Sequence, residues 1–455
     1  MLISQHRRPA IRGRHVVTFD QRADQRGQAR RETCLREPIA RKRRRRCRRA
    51  VRFEGRKRPS DDLILVSTRH DVQGIGACQT AVVHVALVVP GGVDRGGRER
   101  VIPAVLWLVE GLAVEHRVTV VALGQEPAAT RYELCGASVI NVPPEQHGPH
   151  RLVRMIARAA RAAGADGRPD VVHGLWASVS GLCAVAAARR FRVPSLVHVA
   201  GGELVAMPDI GYGGALGRGG RLIGSRSVRW ADEVTTATDW MADHVLAATG
   251  RRPGVVPLGV DVSRFAPDPA ASEPHRLVHV ASLNRVKDQT TLLQAFAKVR
   301  DRFDDARLDL IGVDTLGGEM HRLATSLGCA DAAEFHGFVP SDELPSFYQR
   351  AAVHVISSRH DAGPVSVLEA AACGVPTVGS RVGHIADFAR GPNPLAIGVP
   401  PGDADLLAEA IIALLTDDDR RSEIGRAARD WAVNHDAAAT ARAFSDRYRA
   451  LVAAR

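Results

Sequence analysis

Two carboxylates, Asp361 and Glu369, lie within the stretch Ser358-Arg-His-Asp-Ala-Gly-Pro-Val-Ser-Val-Leu-Glu-Ala-Ala-Ala-Cys-Gly-Val-Pro-Thr-Val. The first precedes a predicted helix and the second lies on it, so they do not form a tight dyad on one helical face. They suit two separate acceptors, each able to hold hydroxyls. Between them, Gly363, Pro364 and Val365 lead into the predicted helix Ser366–Cys373. A helix N-terminus there offers free N–H groups and a positive dipole end, which suit a phosphate. Hydroxyl acceptors around a phosphate-binding helix end are what a sugar nucleotide requires. Lys287, just after a predicted strand, is placed to meet a diphosphate as a point charge.

These groups need a scaffold, and the flanking sequence supplies one. Val353 to Ile356 is an apolar run that reads as a buried strand, and Val375 to Val378 starts the next. Pro364 suits a first helical turn and Gly374 the position just past the helix end. The acid-bearing loop therefore sits at the carboxyl end of a strand, where open α/β sheets bind ligands. Upstream, Val82 to Pro90 reads as a first strand, Gly91 to Gly97 as a Gly-rich loop, Arg98 onward as a helix, and Arg117 to Leu123 as strand two. The glycines are not spaced as GxGxxG, which counts against a nicotinamide or flavin site. Further strands start at Asp170, Ser195, Glu233, Arg276 and Arg307, and Asp430 to Ala454 has a helical pattern. Asp403 and Asp405 follow a Pro-Gly turn, where helix capping explains them better than a metal.

The stretch from Asp361 resembles the acid-x7-acid motif of the retaining glycosyltransferases of family 4, the group 1 glycosyl transferases. Asp361, Gly363-Pro364, Glu369, Ala370, Ala372, Gly374, Pro376 and Val378 carry the match. Asp stands for the usual first Glu, Ala362 for Gly, and Gly-Pro for Phe-Gly. The resemblance extends to Gly96, Gly97, Glu99 and Arg100 in the first loop, to Asp170 and His173, and to Val255–Pro267 between the domains. It also covers Lys287 and the Phe335–Pro340 segment, in which Val339 would meet the base through its main chain. It implies an α/β chain with two Rossmann-like domains facing across a cleft, the GT-B fold. Residues 81–255 would form the acceptor-side domain and 256–430 the nucleotide-sugar domain, with 431–455 a helix packing back on the first. In that reading Glu369 accepts from ribose hydroxyls and Asp361 from the transferred sugar. Lys287 and the N–H groups near Gly363 to Val365 hold the diphosphate. The family's diphosphate Arg falls at Ser282, so Arg285 is the nearby cation that would substitute. Gly201, Gly202 and Glu203 would line the acceptor side of the cleft. The family's His or Arg there falls at Ala200, and His198, two residues earlier and deeper, is kept as a candidate.

The implied activity is transfer of a hexose from a nucleotide sugar to a glycan or lipid-linked hydroxyl, with no essential metal. A GT-B protein with another role, as epimerase, phosphorylase or inactive sugar-nucleotide-binding scaffold, is the alternative. A cytoplasmic protein is expected, with peripheral contact at the inner face of the membrane as a further expectation and no specific nucleic-acid partner.

The chain has 455 residues with 62 basic and 50 acidic side chains, net +12. Residues 1–80 hold 22 and 8 of these, or +14, which leaves 40 and 42, or −2, for the rest. The basicity therefore belongs to the first 80 residues, whose Arg-rich, aliphatic-poor composition predicts a disordered extension. A tail touching anionic lipid or nucleic acid, a solvated tail without a role, and a true start further downstream are its three readings. The 7 cysteines contain no CxxC pair, against a disulfide framework or a structural zinc site. Reduced thiols are the simple reading.

Overall fold

The computed structural model describes residues 82–145 and 150–455. The basic extension expected over residues 1–80 lies outside the described residues. Eight strands form a first sheet: β1 (His84–Val89), β2 (Arg117–Leu123), β3 (Thr130–Leu134), β4 (Ala137–Val142), β5 (Val171–Leu175), β6 (Ser195–Val199), β7 (Glu233–Thr236) and β8 (Gly254–Val255). Their order is β3-β4-β2-β1-β5-β6-β7-β8, and only β3 runs antiparallel to its neighbour. Six more strands form a second, wholly parallel sheet: β9 (Arg276–Val280), β10 (Arg307–Ile311), β11 (Ala333–Gly337), β12 (Val353–Ile356), β13 (Thr377–Ser380) and β14 (Ala396–Val399). Its order is β11-β10-β9-β12-β13-β14.

The apolar runs in these strands follow from burial on both faces. Val85, Leu87 and Val89 of β1 pack with the helix Pro103–Ala113 and with Phe444 and Tyr448. Ala86 and Val88 face the opposite way, toward Ala159, Ala184 and Ala187. In the second sheet, Leu277 and Leu308 meet Leu292, Phe296 and Val299 of the helix Gln289–Arg302. Both sheets reverse their winding beside the first strand, between β1 and β5 and between β9 and β12. That is where a doubly wound sheet opens a crevice for a ligand. The described residues show the GT-B arrangement of two Rossmann-like units.

Three local expectations are corrected. The first helix starts at Pro103, not at Arg98, with Pro103 in its first turn. Gly91 to Ile102 instead form a closed loop, fastened by a bridge between Val93 and Val101 and by the Ile102 N–H on the Gly92 carbonyl at 2.9 Å. Arg100 there has φ 50°, which no helix interior accommodates. The helix after Asp361 runs Val365–Ala372, one residue earlier than expected, and Pro364 precedes it as the N-cap. The C-terminal pattern is two helices, Asp418–Asn434 and Ala437–Ala453, parted where Asp436 caps the second by accepting the Ala439 N–H at 2.6 Å. The last helix lies on Pro103–Ala113 so closely that a side-chain Cβ at Gly111 would stand 2.7 Å from the Ala441 Cβ.

Candidate active site

Lys287 follows β9 and Asp361 follows β12, so the topological switch point of the second sheet brings them together across 74 residues of sequence. Their side chains form an ion pair that is largely withdrawn from solvent. The backbone holds both loops. The Ser357 hydroxyl donates to the Lys287 carbonyl at 2.9 Å, and the Arg359 N–H donates to the Val286 carbonyl at 2.8 Å. Asp288, at φ 51°, caps the helix Gln289–Arg302 by accepting from the Thr291 N–H and hydroxyl, and so turns Lys287 toward the crevice. The N-terminus of Val365–Ala372 starts four residues past Asp361, and no side chain caps it. Its first N–H groups are open to an anion.

Glu369 sits one turn down that helix, 4% exposed. Burial pushes its carboxyl up to about 7, against a smaller opposing effect from the Tyr348 hydroxyl, which donates to Oε2 at 2.7 Å. Tyr348 is fully buried, on the helix Leu344–Arg350 that follows the Phe335–Pro340 segment. Val339 of that segment is half-buried and packs against the same cluster as Tyr348.

The first domain closes over this loop. The Thr238 hydroxyl donates to the Ala362 carbonyl at 2.7 Å. Asp387 accepts from the N–H groups of Asp239 and Trp240, at 2.7 and 3.1 Å, and so caps a first-domain helix from the second domain. Gly363 fits because a Cβ there would stand 2.7 Å from the Ala237 Cβ. Tyr212 lies 3.5 Å from the His360 Nδ1, and Arg359 pairs with Asp209 at 2.5 Å. On the other flank Arg98, next to Gly96 and Gly97, reaches Asp342 at 3.3 Å and also Glu343. Ser358 Oγ, His360 Nε2 and His384 Nε2 are buried without a hydrogen-bond partner, all around the Asp361 loop. Burial holds both histidines down to about 4, so they are neutral. Three unsatisfied polar atoms in one place mark a spot where a ligand has hydrogen bonds to complete.

The structure does not bring every expected residue here. Arg285 points to Glu319, with two contacts at 3.0 and 2.8 Å, and is exposed. Glu203 is buried, and its carboxylate is taken by the N–H groups of Ala177, Ala200 and Gly201 at 2.9, 3.3 and 2.8 Å. It shapes the Gly201–Gly202 loop rather than presenting an acceptor. His198 does not line the cleft: it is fully buried between Thr235, 3.0 Å away, and the ring of Phe444, which lowers it to about 3. His173 is likewise sealed under Tyr448, at 2.6 Å from its hydroxyl. Asp403 caps the helix Ala404–Thr416, accepting the Leu406 N–H at 2.9 Å. The one grouping of metal-ligand type among the described residues, Asp309, Glu334 and His336, surrounds Arg276, whose guanidinium bonds Asp309 at 2.6 and 2.8 Å. That cation already fills the place an ion would take.

The hollows agree only in part with the chemistry. One hollow of ≈ 990 Å³ lies between Gln294–Asp301 and Pro400–Asp405, and neither Lys287, Asp361 nor Glu369 lines it. A hollow of ≈ 330 Å³ lies on the first-domain side, lined by Gly202, Glu203, Tyr212 and Ile223. The polar groups instead converge on the Lys287–Asp361 pair.

Comparison with known proteins decides the family. The Glycosyl transferases group 1 family matches residues 264–431, and the Glycosyl transferase 4-like domain matches residues 101–259. The chain belongs to the family 4-like, group 1 glycosyltransferases. It is 32% identical over 219 residues to a GDP-mannose-dependent alpha-(1-6)-phosphatidylinositol monomannoside mannosyltransferase of Mycobacterium tuberculosis. That match covers 44% of this chain and spans only 57% of the relative. A D-inositol 3-phosphate glycosyltransferase of Kribbella flavida is 29% identical over 360 residues, 72% of this chain and 78% of the relative. Among solved structures, sucrose-phosphate synthase from Thermosynechococcus elongatus superposes with a TM-score of 0.70 at 20% identity, over 82% of this chain and 100% of that one. Anabaena HepE in complex with UDP and glucose gives 0.63 at 16%, over 81% and 99%. Both show the fold.

Within this glycosyltransferase, sequence reasoning missed Tyr348, His384 and the Thr238–Ala362 contact. Tyr348 carries no mark in sequence that separates it from any core aromatic on a short helix. His384 meets Gly363 only because the fold brings the helix Gly383–Phe388 back to the Asp361 loop. Thr238 carried none, because its role depends on how two domains 124 residues apart meet.

Proposed function

We propose that this chain is a retaining hexosyltransferase that moves a sugar from a nucleotide-sugar donor to a glycan or lipid-linked hydroxyl. The convergence of Lys287, Asp361, Glu369 and one uncapped helix N-terminus at the switch point of the second sheet carries this reading. Glu369 accepts from the ribose hydroxyls, Asp361 accepts from hydroxyls of the transferred sugar, and Val339 offers its main chain to the base. The sugar–phosphate bond breaks early, and charge grows on the leaving diphosphate. The Lys287 ammonium and the N–H groups near Gly363 to Val365 stabilise that charge where it develops. Being fixed beforehand, they need no reorganisation at the moment of reaction. The reading calls for no metal, since the cation and the helix end meet the charge. The leaving phosphate takes the acceptor's proton, so no separate base is required. Gly96, Gly97, Gly201 and Gly202 border the acceptor side. Peripheral contact with a membrane is part of the same proposal; no helix among the described residues is long and apolar enough to cross one.

Binding of UDP, GDP, ADP and their sugar conjugates, with a Glu369→Ala control, tests the reading. One nucleotide bound by the wild type and lost in the variant, followed by transfer of its sugar to an added acceptor, is the expected result. A folded protein that binds none of them would overturn it in favour of a phosphorylase or an inactive scaffold.

A further inference from the structure

The acceptor wall of the cleft has an outer surface that the reaction leaves unused. The helix Arg218–Trp230 lies there, and no acidic residue occurs from Ile210 to Ala231. Its buried side, Gly224, Ser227 and Val228, faces the domain. Its exposed side chains are Arg218, Arg221, Leu222, Arg226, Arg229 and Trp230. At 100° per residue these fall on one half of the helix. Leu222 is 49% exposed and Trp230 42%, and Leu216, on the turn just before the helix, is 40% exposed. Arg189, from the end of the neighbouring helix Val179–Phe191, lies over the Trp230 ring at 4.7 Å, and Arg226 lies over it at 5.3 Å. None of these arginines has an acidic partner among the described residues.

Outside residues 1–80 the chain is close to neutral, so uncompensated positive charge concentrated on one helix face needs a partner to explain it. Arginine alone would fit any polyanion. Leucine and tryptophan exposed among the arginines favour a surface that is anionic at its face and apolar just beneath. Tryptophan settles at that boundary, with its ring in the apolar layer and its N–H toward water. The inner side of the same helix contributes Gly220 and Ile223 to the hollow beside Gly202, Glu203 and Tyr212. One helix diameter, about 10 Å, therefore separates this face from the acceptor side of the cleft.

We propose that the exposed face of Arg218–Trp230, with Leu216 and Arg189, docks the protein on an anionic lipid surface and holds the acceptor side of the cleft at the lipid headgroups. The proposal rests on the glycosyltransferase reading for its purpose, but not for its test. The full chain is mixed with vesicles of phosphatidylcholine alone and of phosphatidylcholine with phosphatidylglycerol, the lipids carrying brominated acyl chains. Tryptophan quenching is compared between the wild type and Trp230→Phe, which reports on this face whatever residues 1–80 do. Expected are quenching only with the anionic vesicles, its loss in Trp230→Phe, and a fall in vesicle partition of roughly 25-fold in Arg226→Ser/Arg229→Ser, about fivefold for each charge. Leu222→Ser lowers partition while keeping the charge. All these residues are exposed, and circular dichroism checks the fold of each variant. Unquenched Trp230 with undiminished vesicle binding in the variants would overturn the proposal and assign binding elsewhere in the chain. Arginine-dependent binding to an oligonucleotide without quenching on vesicles would overturn it in favour of a nucleic-acid surface. Nucleotide binding without vesicles is unchanged in these variants, and its absence from the wild type would refute the enzyme reading without touching this one.

Discussion

Glu369→Gln is the substitution whose consequences follow most directly from the structure. The Glu369 carboxyl is held at about 7 by burial. In the unfolded chain it titrates near the ordinary value of 4.5. Below 4.5 the group is protonated in both states and burial costs nothing extra. As pH rises through the folded value, the unfolded chain has already gained the free energy of ionising and the folded one has not. Stability contributed by the protonated group is therefore lost between about pH 4.5 and pH 7. The gap corresponds to roughly 3 kcal/mol at full ionisation. Glutamine keeps the shape and still accepts the Tyr348 hydroxyl, but has no charge to desolvate. Urea unfolding of wild type and Glu369→Gln should therefore give similar stabilities near pH 4.5, and the variant should be more stable by about 3 kcal/mol at pH 8. Parallel stability curves across that range would refute the buried-carboxyl account.

The same group should link pH to donor binding, with the opposite preference. On the proposed reading ribose hydroxyls donate to the carboxylate, so a bound nucleotide favours the ionised form. Nucleotide affinity in the wild type should rise with pH and level off above 7, by up to about tenfold per pH unit on the acid side. Calorimetric titration at several pH values reads it. Affinity that is flat from pH 5.5 to 8, or that falls as pH rises, would remove Glu369 from the ribose site. Stabilising glutamine and disabled binding together would mark a residue kept for function at the expense of stability.

Other outcomes are equally concrete. Lys287→Ala should lower turnover by about 100- to 1000-fold, the range for loss of one donor to a developing anion, and steady-state kinetics with the identified donor measures it. Combined with Asp361→Asn, its effect should be far from additive because the two side chains touch, and a double-mutant cycle reads the coupling. Asp387→Ala removes a cap supplied across the domain boundary, at a cost of about 1 kcal/mol, and should speed limited proteolysis between the domains. Asp309→Asn leaves Arg276 buried with a weakened partner and should cost about 3–5 kcal/mol in urea unfolding, with donor affinity unchanged.

The parts of the site legible in the sequence are those fixed by local chemistry. Asp361, the helix end and Gly374 lie within one strand–loop–helix unit, where turn residues and apolar runs constrain each other. Gly374 has φ 75°, as its place past the helix end requires. Lys287 was readable because it follows a strand that the winding of the sheet sets beside β12. Side-chain direction was not readable. His198 and Glu203 sit where a cleft residue belongs in sequence, yet a covering helix and three backbone N–H groups claim them. Arg285 carried the right charge at nearly the right position, and Glu319, 34 residues on, turns it outward. The Arg98 helix start failed because the loop is closed by a bridge between residues eight apart, a contact with no period in sequence.

Ser282, where the family has its arginine, and the outward turn of Arg285 together bear on how the site works. A nucleotide diphosphate brings at least two negative charges, and Lys287 is the cation the proposed site offers them. In the free protein that cation is already paired with Asp361. Each charge compensates the other, so the pair keeps both side chains in place. On the proposed reading, donor binding parts them, with phosphate replacing Asp361 at the ammonium and sugar hydroxyls replacing Lys287 at the carboxylate. Neither exchange is favourable alone, because each leaves one partly buried charge unpaired. A nucleotide without its sugar supplies only the first. In this reading the pairing favours the complete donor over the spent nucleotide, and it does so with the same two residues that the proposal assigns to the phosphate and the sugar.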